Sequence, residues 1–184
     1  MKNSTIFLFN VLFLISMCCF SCKKKNTTVN IYDGCCDTAP VEKDFNPGKI
    51  YVPNMFTPNN DGRNDQFFGI VDKDIDLINV FKIYGADGSL MFQYYNITNP
   101  SNSHYAFGWY PFENDKTTYK GKFSYYYKVT NTAGKTYEFE GSACSYICDE
   151  ANPFDDFSNC AFATQHNGVG KFEPSLPNFE PDCP

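Results

Sequence analysis

The sequence predicts an all-β protein, a two-sheet antiparallel β-sandwich of about seven strands with an irregular, disulfide-tied linker before it and tail after it. Three observations predict this. Aromatic residues make up 18% of the chain, with 13 Tyr and 19 Phe, and large flat side chains favour pleated, half-buried surfaces. From Lys49 onward no window sustains a 3.6-residue apolar period, so almost no helix is expected. Short alternating segments instead recur between clusters of Gly, Pro, Asn and Asp, the spacing of an antiparallel sandwich.

The strands follow in order. Lys49 to Pro53 is the first and Gln66 to Val71 the second. Asp74 to Tyr84 is the third, with Ile75, Leu77, Phe81 and Ile83 on one face and Ile78 and Val80 on the other. Asp87-Gly88 marks a hairpin turn, and Ser89 to Tyr95 returns with Leu90, Phe92 and Tyr94 on one face. Asn96 to Asp115 reads as a long loop. Lys122 to Thr130 alternates cleanly, placing Phe123, Tyr125, Tyr127 and Val129 inward and Lys122, Ser124, Tyr126, Lys128 and Thr130 outward. After the turn at Asn131 to Gly134, the segment Lys135 to Gly141 returns with Tyr137 and Phe139 inward. Its outer face, Thr136, Glu138 and Glu140, is available to Lys128 and Lys122 as cross-strand pairs.

From within the first strand up to the second runs Tyr51 to Asp65, YVPNMFTPNNDGRND. Eight of the nine residues from Thr57 to Asp65 are Thr, Pro, Asn, Asp or Gly, residue types that fix φ, permit positive φ or bond their own backbone, so the loop is built to hold one shape. Val52 to Asp65 resembles the opening V-P-N-x-F-T-P-N-x-D-G-x-N-D of the gliding-motility-associated C-terminal domain family of Bacteroidetes, with Met55, Asn60 and Arg63 at the variable positions. Val80 to Tyr84, Gly88 and Phe92 resemble the family's next hairpin, without its usual Arg-Trp before the turn. Gly108-Trp109 stands where the family has G-W-D-G, with Tyr110-Pro111 in place of Asp-Gly. Tyr125 to Phe139 resembles its closing hairpin. The resemblance spans about Ile50 to Ser142. It implies an immunoglobulin-like fold and a cell-envelope setting linked to type IX secretion or gliding, and it implies no activity.

Residues 1–21 read as a signal peptide. Lys2 precedes an apolar run from Ile6 to Ile15 broken only by Asn10, the size of an h-region. Ser21-Cys22 at its end looks like a bacterial lipobox, which makes Cys22 the lipidated N-terminus of the mature chain. Buried acyl methylenes contribute about 0.8 kcal/mol each, so a multiply acylated Cys22 anchors the chain to a membrane, and Lys23 to Lys25 can sit against anionic head groups. An ordinary secretory signal cut nearby is the alternative.

Residues 22–48 form a polar linker, 49–143 the sandwich domain and 144–184 a Cys- and Pro-rich tail. Of nine cysteines, Cys35, Cys36, Cys144, Cys148, Cys160 and Cys183 remain once Cys18, Cys19 and Cys22 are set aside. An even set in an exported chain reads as a disulfide framework with 15 connectivities. Neighbouring cysteines rarely bond each other, so Cys35 and Cys36 must each reach the C-terminal region in every remaining pairing. Zinc is disfavoured, since Cys144 and Cys148 lack the tight C-x2-C spacing and the compartment is oxidising.

Candidate sites are few. Asn59, Asn60, Asp61, Asn64 and Asp65 carry hard oxygen ligands suited to Ca²⁺. Register with an EF-hand fails, because Gly62 at its sixth position puts Thr57 at the first and Phe68 at the twelfth. A structural Asx-turn loop is the stronger expectation, with an irregular Ca²⁺ site at Asn59, Asp61, Asn64 and Asp65 as the alternative. Trp109, the single Trp, is expected to plug the sandwich edge, with stacking on a glycan as its alternative. No catalytic residues are assigned: there are two histidines, His104 and His166, and no nucleophile elbow, zinc-hydrolase helix or phosphate loop. A formal charge of −6 argues against nucleic acid.

The expected function is that of a non-enzymatic, lipid-anchored protein of the outer membrane, on its periplasmic or outer side, acting as a binding or scaffolding subunit with protein partners. A secreted or surface cargo sorted through its β-domain, and a carbohydrate-binding module, are the competing expectations. No cofactor is expected beyond the candidate Ca²⁺.

Overall fold

The computed structural model describes residues 30–102, 104–113, 116–147, 157–168 and 170–180. Ten strands run in chain order: β1 (Val41–Asp44), β2 (Lys49–Val52), β3 (Met55–Phe56), β4 (Ile70–Val71), β5 (Ile75–Tyr84), β6 (Leu90–Thr98), β7 (Phe112–Glu113), β8 (Lys116–Thr117), β9 (Gly121–Asn131) and β10 (Thr136–Ser145). A 3₁₀ turn (Pro100–Asn102) and one α-helical turn, α1 (His104–Phe107), follow β6. A three-stranded sheet has the order β1-β2-β4, a five-stranded sheet the order β3-β10-β9-β5-β6, and β7 and β8 form a separate pair. The all-β prediction therefore holds, with ten strands among the described residues rather than about seven, four of them only two residues long.

The two larger sheets bury one cluster between them. Ile50, Val52, Ile70 and Val71 meet Phe81, Phe123, Tyr125, Tyr127 and Val129 there. The inward residues of β9 are those the alternation predicts, all at most 2% exposed. Aromatic rings fill the centre: Phe67 lies edge-on to Phe123 at 4.7 Å and Phe81 stacks on Tyr127 at 4.5 Å. Two glycines make room. A Cβ on Gly69 would lie 2.8 Å from Ile50, and one on Gly141 would collide with the Tyr125 ring folded over it. Burial alone pushes the Tyr125 hydroxyl above its ordinary range. Burial likewise raises Tyr127, although its hydroxyl accepts the Gly69 N–H at 2.8 Å.

Four expectations are corrected. On β5, register shifts fall between Ile75 and Leu77 and between Ile78 and Val80. An extra residue in one strand reverses which side chains face in, so Ile78 is buried opposite Val129 while Leu77 moves outward. The strand expected over Gln66 to Val71 shrinks to β4, because Phe67 to Val71 are buried without alternation. Phe67 instead bridges to Trp109. Lys122 pairs in register with Cys144 rather than facing Glu140, whereas Lys128 does meet Glu138, at 2.8 Å. The loop after Tyr95 begins later than expected, since β6 runs on to Thr98.

The flanking segments are not a loose tether and an appendage. β1, inside the expected linker, pairs with β2 across Val41↔Val52 to Asp44↔Lys49. Tyr32 is fully buried, and its hydroxyl donates to the Ile147 carbonyl at 3.0 Å. In the tail, Ala161 and Ala163 belong to the main cluster, and Phe162 is fully buried in a second one with Tyr32, Met55 and Tyr146. Both flanks contribute core because the sandwich alone leaves β2 and β3 uncovered. Phe172 of the tail lies over Tyr51 of β2 at 5.6 Å.

Two disulfides lock this arrangement, Cys35–Cys144 and Cys36–Cys160. Neighbouring cysteines thus each reach the C-terminal region, as their adjacency requires. Their sequence separations are 109 and 124 residues. One closure of that size contributes roughly 4–5 kcal/mol in the chain-entropy model, and the second, closing nearly the same loop, adds less. Cys22, Cys148 and Cys183 lie outside the described residues.

Candidate functional site

The polar loop after β3 is organised around one carboxylate. Asp65 Oδ1 accepts from the backbone N–H of Asn59 at 3.0 Å and of Asn60 at 2.6 Å, and Oδ2 accepts from Gly62 N–H at 2.7 Å. Asn59 Oδ1 accepts from Asp61 N–H, and Asp61 Oδ1 from Arg63 N–H. These are Asx turns, in which a short side chain replaces the next peptide as acceptor. Asn60, Gly62 and Asn64 take positive φ, at 66°, 87° and 46°, which suits Asn and Gly better than branched residues.

That geometry gives the loop's oxygens partners within the chain. Asn59 Oδ1, Asp61 Oδ1 and both Asp65 oxygens accept from backbone N–H groups of the loop, Asp61 Oδ2 accepts from Asn59 Nδ2, and Asn64 points into the tail. Among the described residues no group of three or more His, Cys, Asp or Glu converges as a metal site. The loop is held by its own amides.

Asn64 and Asn54, the two asparagines that bracket the motif, hold the tail. Asn64 Nδ2 donates to the Asn178 carbonyl at 2.9 Å and to Glu180 Oε1 at 2.5 Å, while its Oδ1 accepts from Thr164 N–H at 3.2 Å. Asn54 is 1% exposed. Its Nδ2 donates to the carbonyls of Thr38 and Asn159, and its Oδ1 accepts from Ala161 N–H at 2.6 Å. One amide therefore joins linker, motif and tail. Burial raises the Glu180 carboxyl above its usual range; the Asn64 hydrogen bond opposes this, and the charges of Asp61 and Asp65 add to it.

Trp109 is a core residue. It is 5% exposed, with its ring 5.0 Å from Phe123, 5.5 Å from Phe56 and 5.8 Å from Tyr119. At that burial little of the indole is left open for the glycan-stacking alternative.

Loop and tail enclose a cleft of about 400 Å³, lined by Arg63, Gln66, Phe68, Thr164, His166 and Phe179 among others. Arg63 is the chain's one arginine. Its guanidinium lies 4.6 Å from the Phe179 ring centroid, a favourable cation–π placement, and it forms no ion pair with a described carboxylate. His166 Nδ1 accepts from Gly168 N–H at 2.9 Å, which leaves the proton on Nε2, and burial holds its pKa below the ordinary value. Gln66 Oε1 is buried without a hydrogen-bond partner. None of these residues stood out in the sequence. The isolated Arg63, set at a variable position of the motif, was the one available signal.

A second candidate surface is the β6 edge of the five-stranded sheet, which pairs with no further strand among the described residues. The β3 edge is covered, since Asn54 N–H and Met55 N–H both donate to the Ala161 carbonyl. The β6 edge carries LMFQYYNIT, nine residues without a charge, with Leu90, Tyr94 and Tyr95 at 49%, 43% and 47% exposure. Among the described residues no helix is long and apolar enough to cross a membrane.

Comparison of the chain with protein-family models, with curated proteins and with solved structures returns no match.

Proposed function

We propose that the chain is a non-enzymatic, lipid-anchored cell-envelope protein. Its immunoglobulin-like body serves as a binding or scaffolding subunit of an outer-membrane assembly linked to type IX secretion or gliding. The observation that carries the binding role is the β6 edge. Solvent-facing edge strands are ordinarily blunted by Lys, Pro or short length. β6 has no charge or proline and offers Leu90, Tyr94 and Tyr95 to a partner strand, the mode in which main-chain bonds give affinity and alternate side chains give specificity. The disulfides fit an exported chain. The motif's side chains hold the fold together, which fits a scaffold.

The test is cross-linking in living cells from a photoreactive residue at Gln93, followed by intact mass of the membrane-extracted protein. The expected result is a defined outer-membrane protein cross-linked to β6, abolished by Tyr94→Lys with Tyr95→Lys, and a mass that includes acylated Cys22. Cross-links to this chain alone would overturn the scaffold reading. An unacylated mass would favour the sorted cargo.

A further inference from the structure

The loop–tail cleft is lined by residues of the motif loop, the segment after it and the tail, none of them from β6. On a chain of formal charge −6, the one arginine stands at its rim, exposed and without a described carboxylate partner. Its planar fork is the group best matched to a carboxylate. The Asp65 carboxylate beside it is already compensated by three backbone N–H donors, so it does not claim Arg63. His166 presents Nε2–H as a second donor, its Nδ1 being held by Gly168 N–H. The ring of Phe179 and the side chains of Phe68 and Ala163 supply apolar wall. Gln66 adds the remaining group. Its Oε1 is buried and unsatisfied, a state that costs free energy, and the residue lines the cleft.

We propose that this cleft binds the C-terminus of a peptide or protein with an apolar last residue. Arg63 and His166 Nε2–H take the carboxylate. Phe68, Ala163 and Phe179 take the apolar side chain. Gln66 accepts the last peptide N–H. Such capture of a chain end needs one anion clamp and one amide acceptor, and the cleft has both. The site is independent of the scaffold proposal, since it requires neither membrane attachment nor the β6 edge.

The test uses the oxidised mature chain and the probe acetyl-Gly-Gly-Phe, with NMR titration of the Arg63 Nε–H and tail amides. The expected result is saturable binding with these resonances shifting together. Amidation of the probe's carboxylate, or Arg63→Gln, is expected to weaken it about 10-fold or more, the scale of one lost charge-assisted hydrogen bond. Arg63 is exposed, so this variant keeps its fold, and unchanged β9–β10 amide shifts verify that. Arg63→Lys, which keeps charge but not the fork, is expected to lose part of the affinity. Four outcomes would overturn the proposal: no saturation by about 10 mM, weaker than any useful millimolar affinity; equal binding of the amidated probe; equal binding to Arg63→Gln; or equal binding of acetate, which would mean that the walls and Gln66 read nothing. Equal binding of 3-phenylpropionate, which has no peptide N–H, would overturn the assignment to a chain end.

Discussion

The β9–β10 hairpin and the tail of residues 157–180 are both parts of one core, yet they are built on opposite principles. The hairpin is a ladder of ten registered pairs from Thr136↔Thr130 to Ser145↔Gly121. Its backbone groups satisfy one another in series, and its inward side chains repeat every second residue. Among its described residues the tail has no comparable ladder; the regular pairing there is one bridge, His166↔Phe172. It is fastened at points, by the amides of Asn54 and Asn64, the Tyr51 hydroxyl on the Phe162 carbonyl at 2.9 Å, and the Cys36–Cys160 bond. A ladder loses strength gradually as single residues change. A point-fastened segment depends on a handful of side chains, most of which belong to other parts of the chain.

The largest break in that comparison should come from the disulfides. Cys36→Ser with Cys160→Ser is expected to cost up to roughly 4 kcal/mol in the chain-entropy model. Hydrogen exchange should show tail amides losing protection first while β9–β10 amides follow global unfolding. Equal loss in both regions would mean that the tail is not a separate unit. Asn54→Ala comes next, at about 2–4 kcal/mol, since it strands several buried partners at once. Denaturant unfolding measures it, and a cost below about 1 kcal/mol would show that water replaces the amide. Tyr127→Phe probes the other side of the comparison. It removes only the hydroxyl that meets Gly69 N–H, so about 1–2 kcal/mol is expected, with the tail and the body weakened alike.

The smallest effect is a pH dependence confined to the tail. Glu180 titrates above its usual value when docked, so its protonated form favours docking. That contribution is full below the unfolded carboxylate value and fades as pH rises through the docked one. His166 is depressed by burial, so its contribution is present above about 6.5, the unfolded value, and is lost on acidification. The two oppose each other. In Glu180→Gln the responses of His166 and Glu173, both held below their ordinary values, remain, and tail amide protection should then fall monotonically as pH is lowered. Protection that still rose on acidification would assign the carboxylate effect elsewhere.

How much of this was legible follows from the same contrast. Phe123, Tyr125, Tyr127 and Val129 announce their face by period two, and β9 is found where that pattern puts it. β5 was legible in extent but not in facing, because a strict period of two does not allow for the register shifts at Asp76 and Asn79. The adjacency of Cys35 and Cys36 forced a clasp to the C-terminal region, though not which partner each takes. The motif from Val52 to Asp65 was visible as a rigid loop. Nothing in it said that Asn54 and Asn64 grip a tail some hundred residues away, because bonds from side chain to backbone carry no period. The cleft was illegible for that reason: Arg63 and Gln66 meet His166 and Phe179 only after the tail is fastened.

The paired crosslinks also decide how the chain carries a pulling force. Tension entering from the N-terminal side reaches Cys35 and Cys36 and crosses directly to Cys160 through a covalent bond. The stretch from 37 to 159, which holds both sheets, lies off that path as a closed loop and cannot be drawn out between the ends while the bond is intact. A chain held at one end in flowing medium or by a moving partner would lengthen only in the segments outside the crosslinks, leaving the β6 edge in register under load.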